Sequence, residues 1–198
     1  GVSGQTLDLD VYGSETTNMD RGTRVVSTTS TKSADVASIF VEFVGEHGAV
    51  GVEYVPGEAS LGSKTRTDTS SVITAGTYTA KAEVSGYTTF YVEPTFMFND
   101  NFGIFLKGGV SRLSVDTLEN LKFGGASSEY PNKEVWGALG GFGVKAAHES
   151  GFFAKVDYSS TNFRPLKFTA KNGSNDVPNV ITADLDVETT RLAIGYTF

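Results

Sequence analysis

The 198-residue sequence has no cysteine, five prolines, two methionines, one tryptophan and no run approaching the ~18 apolar residues that a spanning helix needs. Without cysteine there are no disulfides and no thiolate metal sites, a composition common among proteins that cross an oxidising periplasm unfolded. Without a long apolar run, any membrane crossing has to be made by strands. Positive charge is also in deficit: 16 Lys and Arg against 23 Asp and Glu leave a net charge of -7. That balance excludes a nucleic-acid partner, because a phosphate backbone demands a basic face. The chain opens on Gly1 with neither Met nor a charged-then-apolar leader, so the expectation is the mature form of an exported protein. Its length fits one domain over residues 1–198, of the size of one barrel of about eight strands.

What is present points to strands. There are 23 glycines and 12% aromatics, which suit twisted strands in close backbone contact. Three short polar connections, Glu46-His47-Gly48, Asn99-Asp100-Asn101 and His148-Glu149-Ser150-Gly151, each lie between runs of alternating hydrophobicity and read as hairpin turns. The alternation predicts strands near 36–45 and 49–57, 87–98 and 102–115, and 134–147 and 151–163, with a closing strand near 183–198. The stretch QTLDLDVYG adds an eighth, with Leu7, Leu9 and Val11 on one face and Asp8 and Asp10 on the other. Four long polar segments, roughly 14–33, 58–84, 116–133 and 164–182, remain as loops, all on the side opposite the three turns. Within the second, SSVITAGTYTAKAEVSG alternates and suggests a hairpin extended above the rest.

Residues two apart share a face. On the closing strand Leu192, Ile194, Tyr196 and Phe198 form one apolar stripe, and the same rule turns Val41, Phe43, Val50, Val52, Val92, Ile104, Leu106 and Val144 toward lipid. Aromatics gather toward strand ends, Phe98, Phe102 and Phe152 near the turns and Trp136 and Tyr158 nearer the loops, as two interfacial girdles would require. The opposite face collects Glu42, Glu53, Glu93, Lys107, Lys145, Lys155, Asp157 and Arg191. In a narrow lumen these charges have to pair with one another, so an interior salt-bridge network is expected. Gly103, Gly109, Gly137, Gly141 and Gly143, on the same face, are expected to leave room for its long side chains.

The strand count, three short turns, four long loops, charged inner face and terminal aromatic resemble the small OmpA/OmpX/opacity-type outer-membrane barrels. The resemblance implies an all-β, eight-stranded antiparallel up-and-down transmembrane β-barrel with short periplasmic turns and long extracellular loops. It also implies an integral protein of the bacterial outer membrane with periplasmic termini, in contact with outer-membrane lipid and lipopolysaccharide. Leu192, Ile194, Tyr196 and Phe198 resemble the signal read by the barrel-assembly machinery. The peptidoglycan-binding domain of full-length OmpA-type proteins is not seen in this sequence.

Candidate chemistry is sparse. His148-Glu149-Ser150 brings together the residue types of a hydroxyl-activating site and resembles the His-x-Ser of lipid A deacylases, but a tight turn rarely gives triad geometry. Two lone histidines, His47 and His148, do not make a zinc site. Asp116 with Glu119, and Asp184 with Asp186 and Glu188, have the composition of an outer-rim cation site. Arg112, Lys122, Lys133, Arg164, Lys167 and Lys171 have that of a phosphate-binding one. Solvated loop charge explains both sets more simply. No cofactor and no catalytic or metal site is expected. The functional expectation is a structural scaffold that meets an outside ligand through its loops. A narrow gated channel is the alternative, and a lipid A-modifying enzyme is disfavoured by the lack of a site.

Overall fold

The computed structural model describes residues 1–19, 22–68, 76–122, 130–169 and 180–198. The strands are β1 (Val2–Met19), β2 (Gly22–Gly45), β3 (Gly48–Tyr54), β4 (Glu58–Asp68), β5 (Gly76–Met97), β6 (Phe102–Lys122), β7 (Lys133–Ala147), β8 (Phe152–Phe163), β9 (Leu166–Thr169) and β10 (Val180–Tyr196). All pairings are antiparallel, and β1 pairs with both β2 and β10, so the sheet closes into a ring.

Ten segments make eight staves, because β3 continues as β4 and β8 as β9. Each interruption carries a proline, Pro56 and Pro165, which has no N–H to give the ladder. At the first break Val55 still donates its N–H to the Tyr87 carbonyl at 2.9 Å, and Gly57 then takes a positive φ of 102° that turns the chain. Above Ile39, among the described residues, β2 has no strand partner on that side, and β4 pairs only with β5. The hydrogen-bonded ladder is therefore interrupted along a seam between β2 and β4, where Val36, Ala59 and Leu61 pack against the same apolar cluster.

Cross-strand partners followed from Arg112 on β6 through Thr88, Tyr54, Ile39, Val2, Ile194, Ala154 and Ala146 return to β6 at Phe102, ten residues below the start. That stagger tilts the strands of an eight-membered ring by about 40°. At about 3.3 Å per residue, ten residues of a strand so tilted climb roughly 25 Å, the height of a lipid-facing band. The outward residues within that height are apolar on seven staves: Phe43 is 84% exposed, Leu106 65% and Leu192 58%, with Val52, Phe90, Phe142 and Val156 also exposed, while β1 contributes only Val2 at its lower end. The girdle residues Phe98, Phe102, Trp136, Phe152 and Tyr158 and the stripe Leu192, Ile194, Tyr196 and Phe198 all face outward. Phe152 packs edge-on to Tyr196 at 5.0 Å and Trp136 stacks on Phe90 at 6.5 Å.

Much of the four segments expected as loops is strand. β1 and β2 run on to Met19 and from Gly22, β4 and β5 fill 58–68 and 76–85, β6 reaches Lys122 and β9 occupies 166–169. These strands are rich in Ser and Thr because their outer faces meet water, and that composition imitates a loop. Residues 130–132 and 164–165 are not strand, and 20–21, 69–75, 123–129 and 170–179 lie outside the described residues.

Above the band the facing parity is unchanged, but the chemistry of the two faces exchanges. On β1 Leu7 and Leu9 point inward and are buried while Asp8 and Asp10 point out. On β10 Leu185 and Val187 are buried while Asp184 and Glu188 are exposed. Outward groups must suit the surrounding solvent, and inward groups are then free to form an apolar core, as in a barrel standing in water.

Candidate functional site

The lumen is built in tiers. At the top Leu7, Leu9, Val84, Leu113, Val115, Val135, Phe163, Leu166, Phe168, Leu185 and Val187 form one buried apolar cluster. Below it lies a neutral polar ring: Gln5, Thr89, Ser111, Ser159, Thr161 and Thr189 are all buried. Tyr87 and Thr161 hydroxyls meet at 3.2 Å across the barrel, and Thr89 and Ser111 at 2.9 Å. Beneath these is a charged floor, and beneath the floor Phe40, Phe153 and Ala193 close the turn end, with Phe40 and Phe153 rings 6.2 Å apart.

The floor centres on Arg191, 1% exposed. Its Nε donates to Asp157 at 2.8 Å, one terminal nitrogen to Glu53 at 2.8 Å and the other to Glu93 at 3.4 Å. Lys107 lies 3.5 Å from both Glu53 and Asp157. Lys155 bridges Glu42, at 2.6 Å, and Glu93. Tyr91 donates its hydroxyl to Glu42 at 2.8 Å, Ser3 donates to Glu53 at 3.1 Å, and Ser38 also bonds Glu53. Aromatic faces complete the cage: Tyr91 lies under the Lys107 ammonium at 4.5 Å and Phe105 under Lys155 at 5.4 Å. In so little water each charge is held by an opposite charge plus further hydrogen bonds, the condition under which buried ions are tolerated.

Seven of the eight charges expected on this face, Glu42, Glu53, Glu93, Lys107, Lys155, Asp157 and Arg191, thus meet in one network. Lys145 does not join it. It stands directly across from Lys155 in the β7–β8 register, Lys155 is already engaged with both nearby carboxylates, and the Lys145 ammonium lies over the Phe153 ring at 5.2 Å instead. Among the described residues it makes no ion pair. Ser3, Ser38 and Tyr91 enter the floor without having been singled out in the sequence; inward parity is the signal that finds them, since each alternates with an outward neighbour.

The inward glycines do a different job from the one expected. A Cβ at Gly143 would come within 2.5 Å of the Phe105 ring and 2.6 Å of the Val156 carbonyl, and one at Gly109 within 2.1 Å of the Phe90 carbonyl. Gly103, Gly137 and Gly141 are likewise hemmed in by a neighbouring strand's backbone. They seat aromatic rings and adjacent strands, and only Gly143 also makes room for a network side chain, with Asp157 Cβ 2.6 Å from where its Cβ would stand.

The remaining candidates are local. His148 Nδ1 and Ser150 Oγ are 2.8 Å apart in an exposed turn, and the same nitrogen accepts the Ser150 backbone N–H at 3.2 Å. At the upper rim Asp186 is bonded by Asn162 at 2.5 Å, Arg112 lies 3.5 Å from Glu134, and Lys133 donates to the Lys167 carbonyl. Asp116 accepts from Ser85 at 3.2 Å. No group of three or more His, Asp or Glu converges on a metal position among the described residues. The side chains of Glu119, Lys122 and Lys171 lie outside the described residues.

A closed antiparallel ring of eight staves, apolar outside and charged within over a height of about 25 Å, defines the fold of the small outer-membrane β-barrels. Solved structures of that kind match the whole chain. The crystal structure of the outer membrane protein OprG from Pseudomonas aeruginosa aligns with a TM-score of 0.58 and 9% identity, covering 100% of this chain and 97% of that one. The solid-state NMR structure of outer membrane protein AlkL in lipid bilayers aligns at 0.48 and 18%, covering 100% and 90%. The Ail attachment invasion locus protein of Yersinia pestis aligns at 0.37 and 10%, covering 95% and 98%. No family model and no curated protein matches the sequence. The likeness is one of fold.

Proposed function

We propose that this protein is an integral outer-membrane barrel, turns and termini on the periplasmic side, which acts as a surface scaffold above a closed floor. The observation that carries the reading is the seven-membered ion network filling the lumen at band height: a rigid, sealed barrel leaves the outer end as the working part, where connections carry function. The exposed apolar band supports residence in lipid. The outward alternation of Leu192, Ile194, Tyr196 and Phe198 supports delivery by the barrel-assembly machinery, and the polar rim supports contact with lipopolysaccharide and an outside ligand. The test is single-channel recording of the refolded protein in planar bilayers, alongside Lys107→Ala and Glu53→Ala. Silence of all three is expected. Steady wild-type current, altered by either substitution, would replace this reading with the narrow gated channel.

One observation favours a second reading. The apolar upper tier encloses a chamber of about 100 Å³ lined by Leu7, Leu9, Val36, Val55, Val84, Leu113 and Val187, and Pro56, Gly57 and Glu58 border it where β2 and β4 part. A chamber with apolar walls and a side opening at the top of the band suits a small apolar molecule exchanging with the lipid. Saturable uptake of n-butane, which suits a chamber of that size, by proteoliposomes over protein-free vesicles, abolished by filling the chamber with Leu113→Trp, is the expected result. Equal uptake by both vesicle types would remove this reading.

A further inference from the structure

Two strand edges face each other across the seam above Ile39, and they differ. Gly1 and Phe40 exchange both backbone bonds, the Gly1 amine donating to the Phe40 carbonyl at 2.8 Å and the Phe40 N–H to the Gly1 carbonyl at 3.0 Å. Bonded pairs alternate along an antiparallel ladder, so the even-numbered residues of β2 direct their backbone groups at β1. The odd-numbered residues aim theirs the other way. Up to Ile39 these meet β3, but from Ala37 to Val25 they point into the seam, where β2 has no strand partner among the described residues. Over most of their length β2 and β4 stay more than 8 Å apart, Cα to Cα, too far for direct pairing.

Exposed edges are ordinarily guarded by proline, a bulge or a charge. The edge of β4 is guarded: its register with β5 shifts between Ser60 and Gly62, Gly62 takes a φ of 128°, and Lys64 and Arg66 follow in its sequence. Residues 25–38 of β2 contain neither proline nor glycine, and their register with β1 runs unbroken. Such an edge is a template for a further strand. The charge beside it has one sign. Asp35 on β2, Asp8 and Asp10 on β1, and Asp184 and Glu188 on β10 are all exposed on the outer face, and the single cation among residues 2–19, 25–38 and 180–190 is Lys32, which has inward parity.

We propose that the upper edge of β2 is a docking site for an extended, basic polypeptide segment of a partner protein, which adds to the sheet as an antiparallel strand. Directly opposed residues of an antiparallel pair share a face. The partner residues that bond the odd positions of β2 therefore carry their side chains outward, where lysine or arginine meets Asp35, Asp8 and Asp10. The residues between them turn inward beside Ala34 and Val36 and have to be small. A second copy of this chain fits poorly, because pairing β2 with β2 brings two acidic outer faces together. The proposal rests on the reading that the outer end of the barrel meets an outside partner, and it adds the edge that is used and the pattern of the partner.

The probe is the end-blocked, dye-labelled peptide Lys-Ala-Lys-Val-Lys-Ala-Lys, with two isomers methylated on backbone nitrogen, one at the two central lysines and one at the two alanines. Fluorescence anisotropy with the refolded protein in lipid nanodiscs reads binding. The alanine-methylated isomer is expected to bind like the parent, and the lysine-methylated isomer, equal in charge and composition, about tenfold more weakly or worse. Ser33→Pro removes an N–H aimed into the seam and none bonded to β1, and is expected to weaken the parent peptide by a similar factor. The double variant Asp10→Asn with Asp35→Asn is expected to weaken it severalfold and to flatten its salt dependence. Folding of each variant is checked by heat-modifiable gel mobility, and should Ser33→Pro fail to fold, the two isomers decide the matter on wild type. Equal binding of the isomers would show adhesion by charge alone and overturn the proposal, as would equal binding of a peptide with glutamate in place of lysine, or no binding of the parent. The surface-scaffold reading is tested separately, by the silence of the barrel in planar bilayers.

Discussion

Arg191 on β10 and Glu53 on β3 meet at 2.8 Å although 138 residues separate them. The contact crosses the lumen and ties the stave next to the closing seam to a stave two places beyond β1, so the floor forms only when the ring is shut. Because Arg191 also holds Glu93 and Asp157, its removal leaves four carboxylates, Glu42, Glu53, Glu93 and Asp157, sharing two lysines.

Arg191→Met is therefore expected to destabilise the barrel by roughly 3–5 kcal/mol, the cost of stranding buried charge. Reversible urea unfolding in lipid vesicles measures it. Adding Glu53→Gln is expected to return part of the loss, with a coupling above about 1 kcal/mol in the double-mutant cycle. Strict additivity of the two substitutions would show that the pair is not coupled.

Inward Gly143 and outward Gly140, both on β7, differ in the room they have. Gly143→Ala drives a methyl into the Phe105 ring and the Val156 carbonyl, whereas a Cβ at Gly140 meets nothing within 4 Å. The first is expected to cost about 1–3 kcal/mol by overpacking, and the second to be neutral or slightly stabilising. The same unfolding titration ranks them, and a larger loss at Gly140 would contradict the assigned facing.

The ring, its hairpins and its facing were legible because alternation is a strong signal wherever the two faces meet different surroundings, as at Leu192 to Phe198 against Arg191. The upper barrel was not, for a physical reason. Once the outside is water, Ser- and Thr-rich strands such as that from Val25 to Ser33 carry no apolar outer stripe, and their inward apolar residues are few enough to pass for loop. The floor was legible as a set of charges but not as a pattern of contacts. Tyr91, Ser3 and Ser38 are uncharged, and the exclusion of Lys145 depends on cross-strand register. The side seam at Pro56 has no sequence signal beyond the proline itself.

Depth within the band sets the penalty for charge on the outer face. Leu106 is 65% exposed and lies two residue pairs up β6 from Phe102, well inside the apolar height, whereas Ser160 is exposed where β8 turns polar above Tyr158. Leu106→Arg is expected to cost roughly 2–4 kcal/mol of folding in vesicles and Ser160→Arg no more than about 1 kcal/mol. Equal effects at the two positions would argue against a lipid boundary between them.

Lys145 and Lys155 give the sharpest contrast, since they face each other in the register and differ only in what they touch. Lys155 is 2% exposed and bridges two carboxylates; Lys145 lies over Phe153 and makes no ion pair among the described residues. Removing the Lys155 ammonium strands Glu42 beside Glu93, which keeps only Arg191, so Lys155→Met is expected to lose roughly 3–5 kcal/mol. Removing the Lys145 ammonium strands nothing and relieves a like-charge opposition, while a methionine keeps the contact with the ring. Lys145→Met is therefore expected to stay within about 1 kcal/mol of wild type, on the stabilising side. Urea unfolding of the two variants side by side reads the difference directly. A comparable loss at both would mean that Lys145 neutralises the floor after all, acting on Glu42 across the space between them.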